Sequence, residues 1–171
     1  MQPKQEQTNA DFLDQKLVAV GGSSGMGRET AAEVLAAGGS AVIIGLDKDR
    51  VDDTVNTLAK DGKAYGITAD LADRKQVDRV RQQLADEHAD ATLLVNVAGF
   101  FIPKTFLEHD GPFYDSYLEL DRAIFFITQT VLRSMLRPPK HRPGSEHVSG
   151  LGGSRRSSAR FRRRRLGRHE L

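Results

Sequence analysis

The stretch Val20-Gly21-Gly22-Ser23-Ser24-Gly25-Met26-Gly27 decides how this sequence is read. Just before it, Leu17–Val20 is a short apolar run that stops at glycine, the pattern of a buried strand. Just after it, Arg28–Ala37 reads as a helix with a compact face of alanines and Leu35, ended by Gly38-Gly39. Gly21, Gly25 and Gly27 therefore sit in a strand-to-helix turn with the spacing G-x-x-x-G-x-G. The first glycine permits a tight turn, and the other two let the backbone and the new helix come close to a ligand. Free N–H groups and the positive dipole end of a helix suit a pyrophosphate. A plain strand-to-helix turn is the simpler alternative. Against it stands the context, a strand before, a helix after, and a second strand about 14 residues on. A Walker phosphate loop is excluded, because Arg28-Glu29 stand where Lys and Ser or Thr would be needed.

Outward from the turn, apolar strand runs alternate with amphipathic helices. Ala41–Gly45, Ala64–Ala69 and Ala91–Val95 read as strands. Asp49–Lys60 and Arg74–His88 read as helices with Val51, Val55, Leu58 and Val77, Val80, Leu84 facing inward. Pro112–Leu136 reads as a long helix that is apolar on more than one side. This β-α alternation implies a parallel sheet with helices on both faces, and continuous apolar strands agree with it.

The 171 residues carry a formal charge of +2 that hides a division. Residues 1–135 hold 14 basic and 21 acidic side chains, a net of −7, and residues 136–171 hold 11 and 2, a net of +9. Residues 1–14 read as a flexible lead-in, 15–136 as the folded domain, and 137–171 as a disordered Arg-rich tail too poor in apolar groups to offset chain entropy. There is no cysteine, which excludes disulfides, Cys-ligated zinc and thiol catalysis. No apolar run approaches the roughly 20 residues of a membrane span, and no signal-peptide core opens the chain. A cytoplasmic protein with no membrane partner is expected. No histidine pairs at i, i+4 with a second ligand on a helix, so no metal site is expected. His88 and His109 read as a solvated helix end and a loop.

On these motifs the chain resembles the short-chain dehydrogenase/reductase family over about residues 15–136. The family's T-G-x-x-x-G-x-G appears with Val20 in place of Thr, its Asp plus apolar residue after strand three as Asp70-Leu71, and its N-N-A-G after strand four as Asn96-Val97-Ala98-Gly99. The resemblance implies a Rossmann-like, doubly wound parallel sheet of order 3-2-1-4, a nicotinamide cofactor, and descent from enzymes that oxidise alcohols or reduce carbonyls. It points to Gly21, Ser23, Ser24, Gly25, Met26 and Gly27 for the pyrophosphate, Leu46 and Asp47 for the adenine ribose, Asp70 and Leu71 for the adenine, and Asn96, Ala98 and Gly99 as further cofactor-binding residues. Asp70 could instead cap the following helix, although Asp73 is the better cap, and Asn96 could merely satisfy a strand end. The family's cofactor-discriminating position falls at Leu46. Asp47 beside it tips the reading toward NAD over NADP, while Lys48, Arg50 and Arg28 could meet a phosphate.

The resemblance also implies chemistry that this sequence lacks. The family uses a Tyr with a Lys four residues later, a Ser, and an Asn in the long helix. Tyr65, Tyr114 and Tyr117 are followed four residues on by Ala69, Leu118 and Asp121, so none has the Lys. Asp121 aligns with the family Asn. No strand five carries a Ser. The expectation is thus a family oxidoreductase reduced to its cofactor-binding half, with little or no catalysis. The abrupt change after Leu136 reads as a truncation or reading-frame slip in preference to a genuine basic extension. A non-catalytic dinucleotide-binding module is the first alternative. Weak nucleic-acid binding through Arg155-Arg156 and Arg162–Arg165 is the second, outweighed by a solvated polycation reading because no nucleic-acid-binding fold accompanies it. Self-association is expected through the bare edge of strand four and through the 112–136 helix, where Phe125, Phe126 and Leu132 would be exposed.

Overall fold

The computed structural model describes residues 11–137. Readings made on residues 1–10 and 138–171 lie outside the described residues. The elements are β1 (Lys16–Val20), α1 (Gly25–Ala36), β2 (Ser40–Gly45), α2 (Lys48–Leu58), β3 (Lys63–Thr68), α3 (Arg74–Glu87), β4 (Leu93–Asn96) and α4 (Gly111–Met135), with a short 3-10 turn at Phe106–Glu108. The four strands are parallel in the order β3-β2-β1-β4, the expected Rossmann-like arrangement. Leu17 lies opposite Ala41 and Leu93, and Val20 opposite Ile44 and Asn96.

Strand alternation splits the core into two layers. Val18, Val20, Val42, Ile44 and Ile67 point to one face, where Val77, Val80 and Leu84 of α3 and Ala123, Ile127 and Val131 of α4 cover them. Leu17, Ala19, Ala41 and Ile43 point to the other, covered by Ala31, Val34 and Leu35 of α1 and Leu58 of α2. β1 and β2 are buried on both faces, whereas β4 is only half-buried and pairs with β1 alone among the described residues. No described helix is long and apolar enough to cross a membrane.

Several local expectations change. α1 begins at Gly25 rather than Arg28, so Gly25 and Gly27 belong to the helix's first turn. β4 begins at Leu93, because Ala91 is a buried part of the approach to the strand. Residues 11–14 form a turn in which the Phe12 N–H donates to Ala37 O at 3.2 Å and the Phe12 ring packs on the α1 face of the core. His88, read as solvated, is buried at the C-cap of α3, with its ring 5.0 Å from that of Tyr65. Phe125 and Leu132 are exposed as expected. Phe126 is half-buried, because it turns toward α3 and lies between the guanidinium groups of Arg81 and Arg122, 5.2 and 5.0 Å from its ring centre.

Candidate functional site

A cavity of about 340 Å³ opens at the carboxyl ends of the strands. Its wall is built by the turn after β1 (Gly21, Ser23, Ser24), the end of β2 (Ile44, Gly45, Leu46), Arg50 of α2, Ala69–Ala72 after β3, Val97–Phe100 after β4, and Ser116 and Leu120 of α4. From β1 the chain passes to β2 on one side, and β4 lies on the other. This is the crossover point where open α/β sheets form their binding crevice.

The glycine turn owes its shape to close backbone approach. Gly21 has φ +84°, and the N–H groups of Gly21 and Gly22 both donate to Ile44 O, at 2.9 and 3.0 Å. A Cβ on Gly21 would stand 2.5 Å from Ala98 N, and one on Gly27 would stand 2.6 Å from Gly21 O. These two glycines therefore let the turn, α1 and the end of β4 touch. Gly25 differs. Its φ is +50°, and a Cβ there would meet nothing within 4 Å, leaving open space beside the first turn of α1. The N-cap of α1, Ser24, makes no side-chain cap bond. By contrast Asp47, Asp73 and Asp110 cap α2, α3 and α4 with carboxylates that accept first-turn N–H bonds. The α1 end thus presents N–H groups with no side-chain acceptor, and the glycine cradle leaves room before them, which fits a phosphate.

The expected site residues divide. Gly21, Ser23, Ser24, Leu46, Asp70, Leu71, Ala98 and Gly99 lie in the cavity wall. Gly25 and Gly27 shape the turn without lining the cavity, and Met26 is exposed outside it. Asp73 takes the capping role, accepting from Lys75 N at 2.8 Å, while Asp70 accepts from Ala72 N at 2.9 Å and keeps its place in the wall. Hydrogen bonds from the Gln76 side chain and the Lys75 backbone hold the Asp73 carboxyl below the ordinary carboxylate range.

Two residues that the resemblance pointed to lie outside the wall, and Asp121, which was given no site role, lies outside it too. Asp47 is outside the wall, its carboxylate accepting from Arg50 N at 2.9 Å as the α2 cap. Asn96 is also outside, its Nδ2 donating to Thr128 Oγ1 at 3.0 Å and tying β4 to α4. Asp121 is exposed and absent from the wall, whereas Leu120 lines it. One step along a helix is a rotation of about 100°, which separates these two neighbours.

The structure adds residues that the sequence reading passed over. Phe100 lines the cavity and packs against Tyr117, ring centres 4.5 Å apart. Ser116 and Leu120 face it from α4, a consequence of helix rotation that the all-round apolar pattern of this helix concealed. Tyr65 is not part of this wall, and its ring packs at a tilt against that of His88.

The family model for short chain dehydrogenases matches residues 15–145, a span that runs past the boundary expected at Leu136. The chain belongs to this family. Among the relatives of this family member, the uncharacterized oxidoreductase YvrD of Bacillus subtilis is 31% identical over 110 residues, covering 64% of this chain and 41% of that protein. Meso-2,3-butanediol dehydrogenase of Serratia marcescens is 27% identical over 143 residues, covering 82% and 57%. The crystal structure of a putative NAD(P) dependent gluconate 5-dehydrogenase from Beutenbergia cavernae superposes with a TM-score of 0.68 at 25% identity, covering 74% of this chain and 51% of that one. The chain thus spans well under two thirds of the length of these relatives.

Proposed function

We propose that this chain binds a nicotinamide dinucleotide in the carboxyl-edge cavity and that, by itself, it turns over substrate negligibly. The observation that carries the binding reading is the α1 end, uncapped by any side chain and fronted by the open space beside Gly25. In this reading the first turn of α1 and the backbone of Ser23–Gly25 hold the pyrophosphate. Asp70 and Leu71 border the adenine, and Ala98 and Gly99 border the nicotinamide side. When bound, the cofactor supplies the capacity to accept or give a hydride. The Beutenbergia cavernae structure carries bound NADP at low occupancy, which supports a dinucleotide cofactor for this chain.

The negligible-turnover half rests on the sequence. A positioned acid/base contributes roughly 10²–10⁴-fold, and no tyrosine of this chain has a lysine four residues on. Asp121, the residue aligned with the family's Asn, is exposed and is not part of the cavity wall. The experiment is binding of NADH and NADPH by fluorescence, beside a 340 nm assay with alcohols, ketones and aldehydes. Binding lost on Gly25→Val, with the variant folded by circular dichroism, supports the site. Equal affinity of wild type and folded variant, or turnover near 1 s⁻¹, the low end of the usual enzyme range, overturns the corresponding half.

A further inference from the structure

NAD and NADP differ at one group, the adenine ribose 2′ position, which is a hydroxyl in one and a phosphate in the other. A fold that prefers NAD sets a carboxylate acceptor beside that ribose at the end of the second strand, and one that prefers NADP sets a cation there. The end of β2 in this chain offers no carboxylate. Gly45 is its last residue, and a side chain there would meet Ser23 Oγ at 2.6 Å and Val51 Cγ2 at 2.8 Å. Leu46 follows, apolar and exposed. Asp47 comes next, but its carboxylate is committed to Arg50 N as the cap of α2, and it is not in the wall.

The cations nearby are sorted as clearly. Lys48 is paired with Asp52, an interaction that raises the lysine's pKa, and Arg28 lies 3.9 Å from Asp53. Arg50 has no ion pair among the described residues, and it is the one basic side chain in the cavity wall. Ser23 shares that wall, and Ser23 O accepts from the buried Thr54 hydroxyl at 3.1 Å, which ties the glycine turn to α2. The Arg50 guanidinium and the Ser23 hydroxyl therefore line the wall between the turn and α2, beside the positive end of that helix's dipole, while Asp70, the one carboxylate in the wall, follows β3 and accepts from Ala72 N.

We propose that Arg50 reads the 2′-phosphate and that this chain selects NADP over NAD. The inference rests on the cofactor reading above and deepens it. The residue that argued for NAD in the sequence, Asp47, is the one whose backbone neighbour supplies the cation.

The test is a titration of the full 171-residue chain with NADPH and NADH, read by cofactor fluorescence and calorimetry, so no turnover is needed. Wild type is expected to bind NADPH at least about tenfold more tightly. Arg50→Ala keeps the backbone N–H that Asp47 accepts, so it folds and should weaken NADPH by about ten- to a hundredfold, the effect of one charge-assisted hydrogen bond, with NADH unchanged. Leu46→Asp supplies the missing carboxylate and should move preference toward NADH. Equal affinity for both cofactors, tighter NADH, or an Arg50→Ala loss shared equally by both overturns the inference and leaves the dinucleotide site standing. Binding of neither by a folded chain overturns the dinucleotide reading, and the inference with it.

Discussion

At the amino ends of the strands, polar groups are paired or packed away. Lys16 bonds Asp90 at 2.6 Å and its ammonium lies over the Tyr65 ring, and Tyr65 stacks on the buried His88. Lys16 and Thr92 exchange hydrogen bonds between the starts of β1 and β4. At the carboxyl ends, the glycine turn leaves α1 without a side-chain cap, Arg50 has no ion pair among the described residues, and a cavity of about 340 Å³ remains open. Both edges belong to the same four strands, so the contrast comes from loops and helix ends, not from the sheet. It teaches that the carboxyl edge keeps donors unspent for a ligand, while the amino edge spends its polar groups on the fold.

Gly27→Ala gives the largest expected effect and cuts across that division. It sits at the ligand edge, yet its missing side chain serves packing. A Cβ there would press on Gly21 O at 2.6 Å, Val97 Cγ2 at 2.8 Å and Gly22 Cα at 2.9 Å. Two of these are backbone atoms that cannot swing aside. Overpacking of this kind costs about 1–3 kcal/mol. Urea denaturation should show the loss, whereas Gly25→Ala, with nothing within 4 Å of its Cβ, should show only the smaller strain of a side chain at φ +50°. Equal destabilisation by the two would mean that the glycines do one job, not two.

The division between these glycines marks how far the sequence could be read. Element order and the glycine turn were legible, because hydrophobic runs and helix stripes record which faces are buried, whereas the strand order came with the family resemblance. The side-chain commitments were not. Asp47 looks the same in sequence whether its carboxylate faces a ribose or caps its own helix, and the choice depends on the local backbone at the start of α2. Asp121 and Leu120 are adjacent letters, and only the rotation of α4 against the sheet decides which reaches the cavity. His88 ends a charged helix, and its burial depends on Tyr65, which is 23 positions away in sequence.

The second contrast is between helix starts. Asp73 accepts from Lys75 N and Gln76 N, at 2.8 and 3.4 Å, whereas Ser24 makes no such bond. Asp73→Ala should lower stability by about 0.5–2 kcal/mol, the usual loss of an N-cap. Ser24→Ala should stay within about 0.5 kcal/mol of wild type, as surface substitutions do, while weakening dinucleotide binding. Parallel chemical denaturation curves check the first pair of values and a cofactor titration the second. A capping-sized stability loss on Ser24→Ala would show that the α1 end is closed by its own side chain.

The smallest effect at neutral pH, and the one that tests the amino edge, belongs to His88. Burial favours its neutral ring and holds its pKa below the usual histidine value, and Lys16 adds to this. Glu87 and Asp90 act in the opposite sense but do not prevail. Its Nδ1 is buried without a hydrogen-bond partner among the described residues. Because the folded pKa lies below the unfolded one, near 6.5, the unfolded chain binds the proton first as pH falls. Stability is then fully present above about 6.5 and declines below it until the folded ring protonates as well. The carboxylates with lowered pKa, Asp73, Asp90, Glu108 and Glu119, lose their contribution only in the more acidic carboxylate range. Urea midpoints between about pH 7.5 and 5.5, around the ordinary histidine pKa, therefore isolate the histidine. Wild type should lose stability across that window and His88→Leu should lose distinctly less. Parallel slopes for the two proteins would show that His88 is hydrated, and that the amino edge is less closed than its packing indicates.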